Sequence, residues 1–214
     1  MKDFIEIALD PSQCRSQILE FGDLLRSRTA LKERAEIQPF FHSRHQLAAF
    51  IGTYVPDIGH TKLLAFEFPI FGDFAADIVV GNKENGTYCL IELEDGGSDS
   101  VFTKATGKST KEWGKRFEHG FSQMVDWFHA LDDLKSTKKF GQLFGHGHVK
   151  FVGMLIAGRD AGLSESDLTR LRWRSDKVRV DSNYVHCLTF DGLYRHLSGR
   201  ISDYSAARML ESDR

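Results

Sequence analysis

Two stretches decide the fold: Phe74-Ala75-Ala76-Asp77-Ile78-Val79-Val80 and Thr87-Tyr88-Cys89-Leu90-Ile91-Glu92-Leu93-Glu94. Each reads as a strand. The segment Lys83-Glu84-Asn85-Gly86 separates them, and its Asn-Gly pair marks a hairpin turn. Apart from the carboxylates, both faces of these strands are apolar, which puts them in the middle of a sheet with helices on each side.

The carboxylates are the informative exceptions. With a two-residue turn at Asn85-Gly86, Asp77 stands opposite Glu94; with a four-residue loop, Lys83 to Gly86, it stands opposite Glu92. Either register puts Asp77, Glu92 and Glu94 on one face, because side chains alternate along a strand. Adjacent strands lie about 4.8 Å apart, so two such acids can share one cation. Unpaired in a central strand they would repel each other and be costly to bury. A hard divalent ion such as Mg²⁺, held by one or two carboxylates plus water and phosphate oxygens, removes that cost. The alternative is an exposed strand end whose acids face water and aid solubility.

Working outward, the chain before Tyr54 reads as helical, with Ile18, Leu19, Leu24 and Leu25 as one apolar stripe. His42 to Tyr54 forms a second helical segment, and Pro39 separates the two. Leu63 to Phe71 reads as another strand. A long helix over Lys111 to Leu134 carries Phe117, Phe121, Met124, Phe128 and Leu131 as a core stripe, with Trp127 alongside. Lys150 to Ala157 is a buried strand stopped by Gly158. Ser164 and Asp167 form a capping box for a short helix. Val178 to Val180 and Val185 to Phe190 add two short strands, and Asp191 caps a final helix through Leu197. The fold class expected from this order is α/β, a mixed central sheet flanked by helices.

Composition excludes several classes. The chain has 214 residues, 41% hydrophobic and 27% charged, which suits a folded domain rather than a disordered or fibrous chain. No run approaches the roughly 20 apolar residues of a membrane span. Met1-Lys2-Asp3-Phe4 lacks the features of a signal peptide, so a cytoplasmic protein is expected. Cys14, Cys89 and Cys187 are far apart and read as reduced thiols. The formal net charge is -2, without the strong basic excess usual for nucleic-acid binders. The charges are uneven, however. Acids gather at Asp73, Asp77, Glu92, Glu94 and Asp95, and bases at Lys104 to Arg116, Lys135 to Lys139 and Arg170 to Arg179.

The pattern Gly72 to Val80 followed by Leu90-Ile91-Glu92-Leu93-Glu94 resembles the core of the PD-(D/E)XK nuclease superfamily, and most nearly the nuclease domain of the Shedu anti-phage defence family. Three further segments resemble that family: Ser122-Gln123-Met124-Val125-Asp126-Trp127 as its Gln-bearing helix, Phe151 to Arg159 as its later strand ending in Gly-Arg, and His186 to Leu193 as its closing strand-to-helix segment. The likeness spans His42 to Leu197. It implies a restriction-endonuclease-like domain over residues 42–200, with a helical extension at 1–41 and a tail at 201–214. It also implies metal-dependent cleavage of phage or plasmid DNA, without a membrane and with possible self-association. Carried over, Asp77 and Glu92 would hold Mg²⁺ or Mn²⁺, and Gln123 would orient substrate or water.

One position departs from that pattern. Where the superfamily has Lys, two residues after the Glu, this chain has Glu94, which can ligate a second metal or act as a base but cannot steady negative charge. Lys104 or Lys108, in the Gly/Ser/Thr/Lys-rich loop from Asp95 to Lys111, could restore the cation. Arg170-Leu171-Arg172-Trp173-Arg174 alternates base and aromatic in a way that suits nucleic acid, with Arg172 and Arg174 as contacts; a solvated helix end with a packed Trp173 is equally consistent. His146-Gly147-His148 lacks a completing ligand and reads as loop. Loss of the Lys leaves a rival expectation, a catalytically impaired nucleic-acid-binding or protein-interaction module.

Overall fold

A computed structural model describes residues 3–212 apart from 72–73 and 146–147. Asp73 of the acidic group and His146 therefore lie outside the described residues. The chain begins with β1 (Ile5–Glu6) and α1 (Pro11–Ser27), whose N-cap Asp10 accepts hydrogen bonds from the N–H groups of Ser12 and Gln13. A single π-turn over Glu33–Ile37 runs into α2 (Gln38–His42), and α3 (His45–Phe50) follows. Pro39 therefore lies in the first turn of a helix, where its missing N–H costs nothing.

The sheet starts with β2 (Leu63–Phe71), β3 (Phe74–Asn82) and β4 (Thr87–Leu93) as an antiparallel meander. A two-stranded ribbon, β5 (Phe102–Thr103) with β6 (Glu112–Trp113), precedes α4 (Lys115–Leu134) and α5 (Lys138–Phe144). The expected helix from Lys111 thus begins four residues later, because Glu112 and Trp113 pair with β5. Then come β7 (Lys150–Ile156), α6 (Glu165–Lys177), β8 (Arg179–Val180), β9 (Asn183–Leu188) and α7 (Phe190–Ser212). Ser164 and Asp167 do form the capping box of α6.

The main sheet has seven strands in the order β1-β2-β3-β4-β7-β9-β8. Strands β4, β7 and β9 are parallel, and the other pairs are antiparallel, so the sheet is mixed. Helices cover both faces. On one, Ile78, Val80, Cys89 and Ile91 pack with Phe21 of α1, Leu47 of α3 and Leu193 of α7. On the other, Ala76, Val79, Tyr88 and Leu90 pack with Phe117, Phe121, Met124, Trp127 and Phe128 of α4 and Phe144 of α5. The stripe expected on α4 is buried. All three cysteines are free and buried. Among the described residues no helix is long and apolar enough to cross a membrane.

The final helix differs from expectation at both ends. Thr189, not Asp191, caps it, its hydroxyl accepting a 2.9 Å hydrogen bond from the Gly192 N–H. The helix continues to Ser212, past Leu197. Asp191 is instead engaged by Arg159, at 2.8 and 3.0 Å.

Candidate active site

The hairpin register settles which acids face each other. Asn82 pairs with Thr87 and Ile78 with Ile91, so the loop is the four residues Lys83 to Gly86. One step further along this register, Asp77 stands opposite Glu92. Glu92 lies on the face covered by α4, and Asp77 lines the same cavity as Glu92. Glu94 follows just beyond β4 on the same face, and its N–H donates to Ile156 O at 2.9 Å.

α4 crosses above them. At residue 120 the helix comes so close that a methyl group would meet Leu155 Cδ1 at 2.6 Å, Glu94 Cγ at 3.2 Å and Glu92 Cγ at 3.4 Å, so any side chain there would have to displace Leu155 and press on Glu94. Arg116, Gly120 and Gln123, spaced four and three residues apart, share one helical face. Gln123 Nε2 donates to Glu92 Oε1 at 2.5 Å. Asp77 is held on both oxygens: Gln38 Nε2 donates to Oδ1 and the Leu93 N–H to Oδ2, each at 2.8 Å.

The segment before β2 closes the site from the other side. The Glu33 N–H and Lys32 Nζ donate to Asp95, at 2.9 and 3.1 Å. Together these residues enclose a cavity of about 870 Å³ with Asp77, Glu92 and Glu94 inside and Lys32, Arg34, Arg116 and His119 also lining it. Glu67 lines it too, from a left-handed backbone conformation at φ 45° that a non-glycine residue adopts only under constraint.

Four of the residues singled out from sequence thus meet: Asp77, Glu92, Glu94 and Gln123. The basic candidates do not line this cavity. Lys104 and Lys108 are exposed on the loop between β5 and β6, and Lys108 pairs with Glu112. Arg174 bonds Glu118 at 2.5 Å and lies over the Phe121 ring at 4.1 Å, so it packs α6 against α4. Arg172 is exposed and donates to Thr169 Oγ1 at 3.2 Å, and Trp173 beside it is 61% exposed, not packed. Glu33, Gln38 and Arg116 were not singled out. Nothing in local periodicity links Gln38 to Asp77, but the helical spacing of Arg116 to Gln123 was readable once α4 was placed.

The electrostatics follow from burial. Desolvation raises the Asp77 carboxyl above the usual range, against the hydrogen bonds from Leu93 and Gln38. Desolvation raises Glu92 further, and Asp77 and Glu94 add to it. Glu94 is pushed up to about 7 by burial and by Glu33, with Arg116 opposing. Its Oε2 is buried and accepts no hydrogen bond among the described residues. Asp95 goes the other way: its burial is outweighed by hydrogen bonds from the Glu33 N–H and Lys32.

The family described as Shedu protein SduA, C-terminal, has a model that matches residues 30–194. The chain belongs to this family. No curated protein matches it. The matched span takes in each acid of the cavity and Gln123, and it starts early enough to include Glu33 and Gln38. Membership in the Shedu family suggests a role in the Shedu anti-phage defence system.

The donor set has a definite chemistry. Every acid in the cavity offers hard oxygen ligands, and no cysteine lines it. Among the described residues, no group of three or more His, Cys, Asp or Glu side chains converges tightly enough to enclose a metal. The cavity thus presents oxygen donors and no thiolate, without a preformed cage among the described residues.

Proposed function

We propose that this Shedu-family chain is a metal-dependent DNA endonuclease of the PD-(D/E)XK type, with a restriction-endonuclease-like fold. One observation carries the reading: Asp77 and Glu92, on paired central strands, face the same cavity with both carboxyls shifted upward. Buried like charges of that kind are relieved by a divalent cation. The orphaned Glu94 Oε2 beside them supports the same conclusion.

Asp77 and Glu92 are the residues that would hold Mg²⁺ or Mn²⁺. When bound, such an ion polarises a phosphoryl oxygen and lowers the pKa of its water. The chain's own contribution is orientation. Gln38 and the Leu93 N–H hold Asp77, and Gln123 holds Glu92, so both carboxylates are aimed before any ion or substrate arrives. Lys32, Arg34 and Arg116 rim the acids and would seat the DNA backbone by charge.

Glu94 favours a second reading, a nucleic-acid-binding module that has lost cleavage, because an acid occupies the place where the superfamily pattern has a cation. One assay separates the two. Supercoiled and linear DNA are incubated with the protein in Mg²⁺, Mn²⁺ or EDTA, beside Asp77→Asn and Glu92→Gln. Cleavage is expected with metal and not with EDTA, and each variant should lose at least about 100-fold in rate, since even outer-sphere changes cost 10–100-fold. Wild-type protein that binds DNA but cuts with neither metal leaves the second reading.

A further inference from the structure

We propose that Arg116 is the cation of this site that contacts a DNA backbone phosphate, taking the electrostatic role that Glu94 cannot fill. The proposal rests on the nuclease reading and deepens it. Arg116 is the second residue of α4, lines the cavity, and its side chain is 55% exposed. Its guanidinium stands 3.7 Å from Glu94 Oε2, 3.8 Å from Glu33 Oε2 and 3.9 Å from Asp95 Oδ2. All three distances exceed hydrogen-bond length. Among the described residues, the Arg116 guanidinium donates no hydrogen bond, so acids hold it over the cavity by charge alone.

Arg34 also lines the cavity, but Arg116 is the arginine that stands 3.7–3.9 Å from Glu94, Glu33 and Asp95. Two further arginines, outside the cavity lining, are committed elsewhere. Arg159 donates to Asp191, Leu25 O and Arg28 O, and Arg174 to Glu118. Lys32 is the nearest rival, and its Nζ is already on Asp95 at 3.1 Å. The five N–H donors of Arg116 remain open, in the fork geometry that matches two phosphate oxygens. A phosphate entering above Asp77 and Glu92 would replace three long ion pairs with direct, charge-assisted hydrogen bonds. Arg116 also comes from the first turn of a 20-residue helix with no capping side chain, an end that itself favours an anion.

The test measures binding and cleavage separately. A labelled oligonucleotide duplex is titrated with wild type, Arg116→Ala, Arg116→Gln and Arg116→Lys in EDTA over a range of salt, and cleavage is timed in Mn²⁺. Losing one phosphate contact should weaken binding about tenfold and reduce the slope of log affinity against log salt by about one, in both the Ala and Gln variants. Their cleavage rate should fall by about 10²-fold. Arg116→Lys should restore the salt slope but only part of the rate, because it keeps the charge and loses the fork. A merely structural arginine would lower the melting temperature and leave the salt slope unchanged, and that result overturns the proposal. So does a wild type that binds no DNA. If wild type binds but cuts with neither metal, the nuclease reading fails while the salt slope still decides the role of Arg116.

Discussion

A single missing methyl group sets the distance between α4 and the acids. Gly120 lies over the Cγ atoms of Glu92 and Glu94 and against Leu155 Cδ1, at 2.6 Å from where a Cβ would stand. In Gly120→Ala two effects oppose. Alanine in a helix interior gains about 1 kcal/mol over glycine, while overpacking a buried contact costs about 1–3 kcal/mol. Net stability should therefore move little, within about 2 kcal/mol by urea denaturation. Function should not be spared, because besides Leu155 Cδ1 the new methyl presses on the Glu94 side chain at Cγ and touches that of Glu92: on the nuclease reading, metal-dependent cleavage is expected to fall at least about tenfold, the lower end of the loss when aiming partners are disturbed. A variant with full cleavage would show that the close approach is packing and nothing more. Asp77, Glu92 and Glu94 were legible in sequence because alternation along two strands puts them on one face in either register. The partners that hold them were not. Gln38 lies 39 residues before Asp77, and no local period connects the two.

Elements were legible where their own sequence punctuates them. Leu63 to Phe71 and Lys150 to Ile156 are strands almost as bounded by their apolar runs, and the capping box of α6 is where Ser164 and Asp167 put it. Ends set by long-range contacts were missed: β6 takes Glu112 and Trp113 from the start of the expected helix, and Arg159 takes Asp191 from its expected capping role. Arg159 shows what such a contact does for the site. It leaves the end of β7, is 9% exposed, and donates to Asp191 in α7 and to Leu25 O and Arg28 O at the end of α1, both at 2.7 Å. The chain runs on from there through Leu31, whose N–H and C=O bond Gly96, into Glu33 and Gln38. One guanidinium thus anchors the segment that closes the cavity. Arg159→Ala strands a partly buried carboxylate and two carbonyls, and should cost about 3 kcal/mol in urea denaturation. Arg159→Lys keeps the charge but cannot reach three acceptors in one plane, so it should recover only part of that loss. Equal stability of Arg159→Ala and wild type would rule out the anchoring role.

For the whole molecule, the buried acids of the cavity make stability depend on pH and, on the proposed function, on metal. Asp77, Glu92 and Glu94 all titrate above their ordinary range, first because they are buried and then because they face other acids. The folded protein therefore binds more protons than the unfolded chain between the ordinary carboxylate range and the raised values. Stability linked to these groups is complete below about pH 4, where both states are protonated, and it is lost as pH rises through neutrality, with Glu94 at about 7 in the middle of that window. The partly buried His186 and His196, both held below the usual imidazole range by desolvation, act in the opposite sense over the same window, so the acids' share is read by difference. From pH 5 to pH 8 in EDTA, wild type should lose stability relative to Asp77→Asn and to Glu92→Gln, which carry no charge to bury. Mg²⁺ or Mn²⁺ should reverse the loss at pH 8 and do little at pH 5, because protons and the ion compete for the same oxygens. The metal increment should vanish in the double variant. A wild type whose melting temperature tracks that of both variants from pH 5 to pH 8 in EDTA, or a metal increment as large in the double variant as in wild type, would separate the three acids from any shared ion and leave their burial a structural matter.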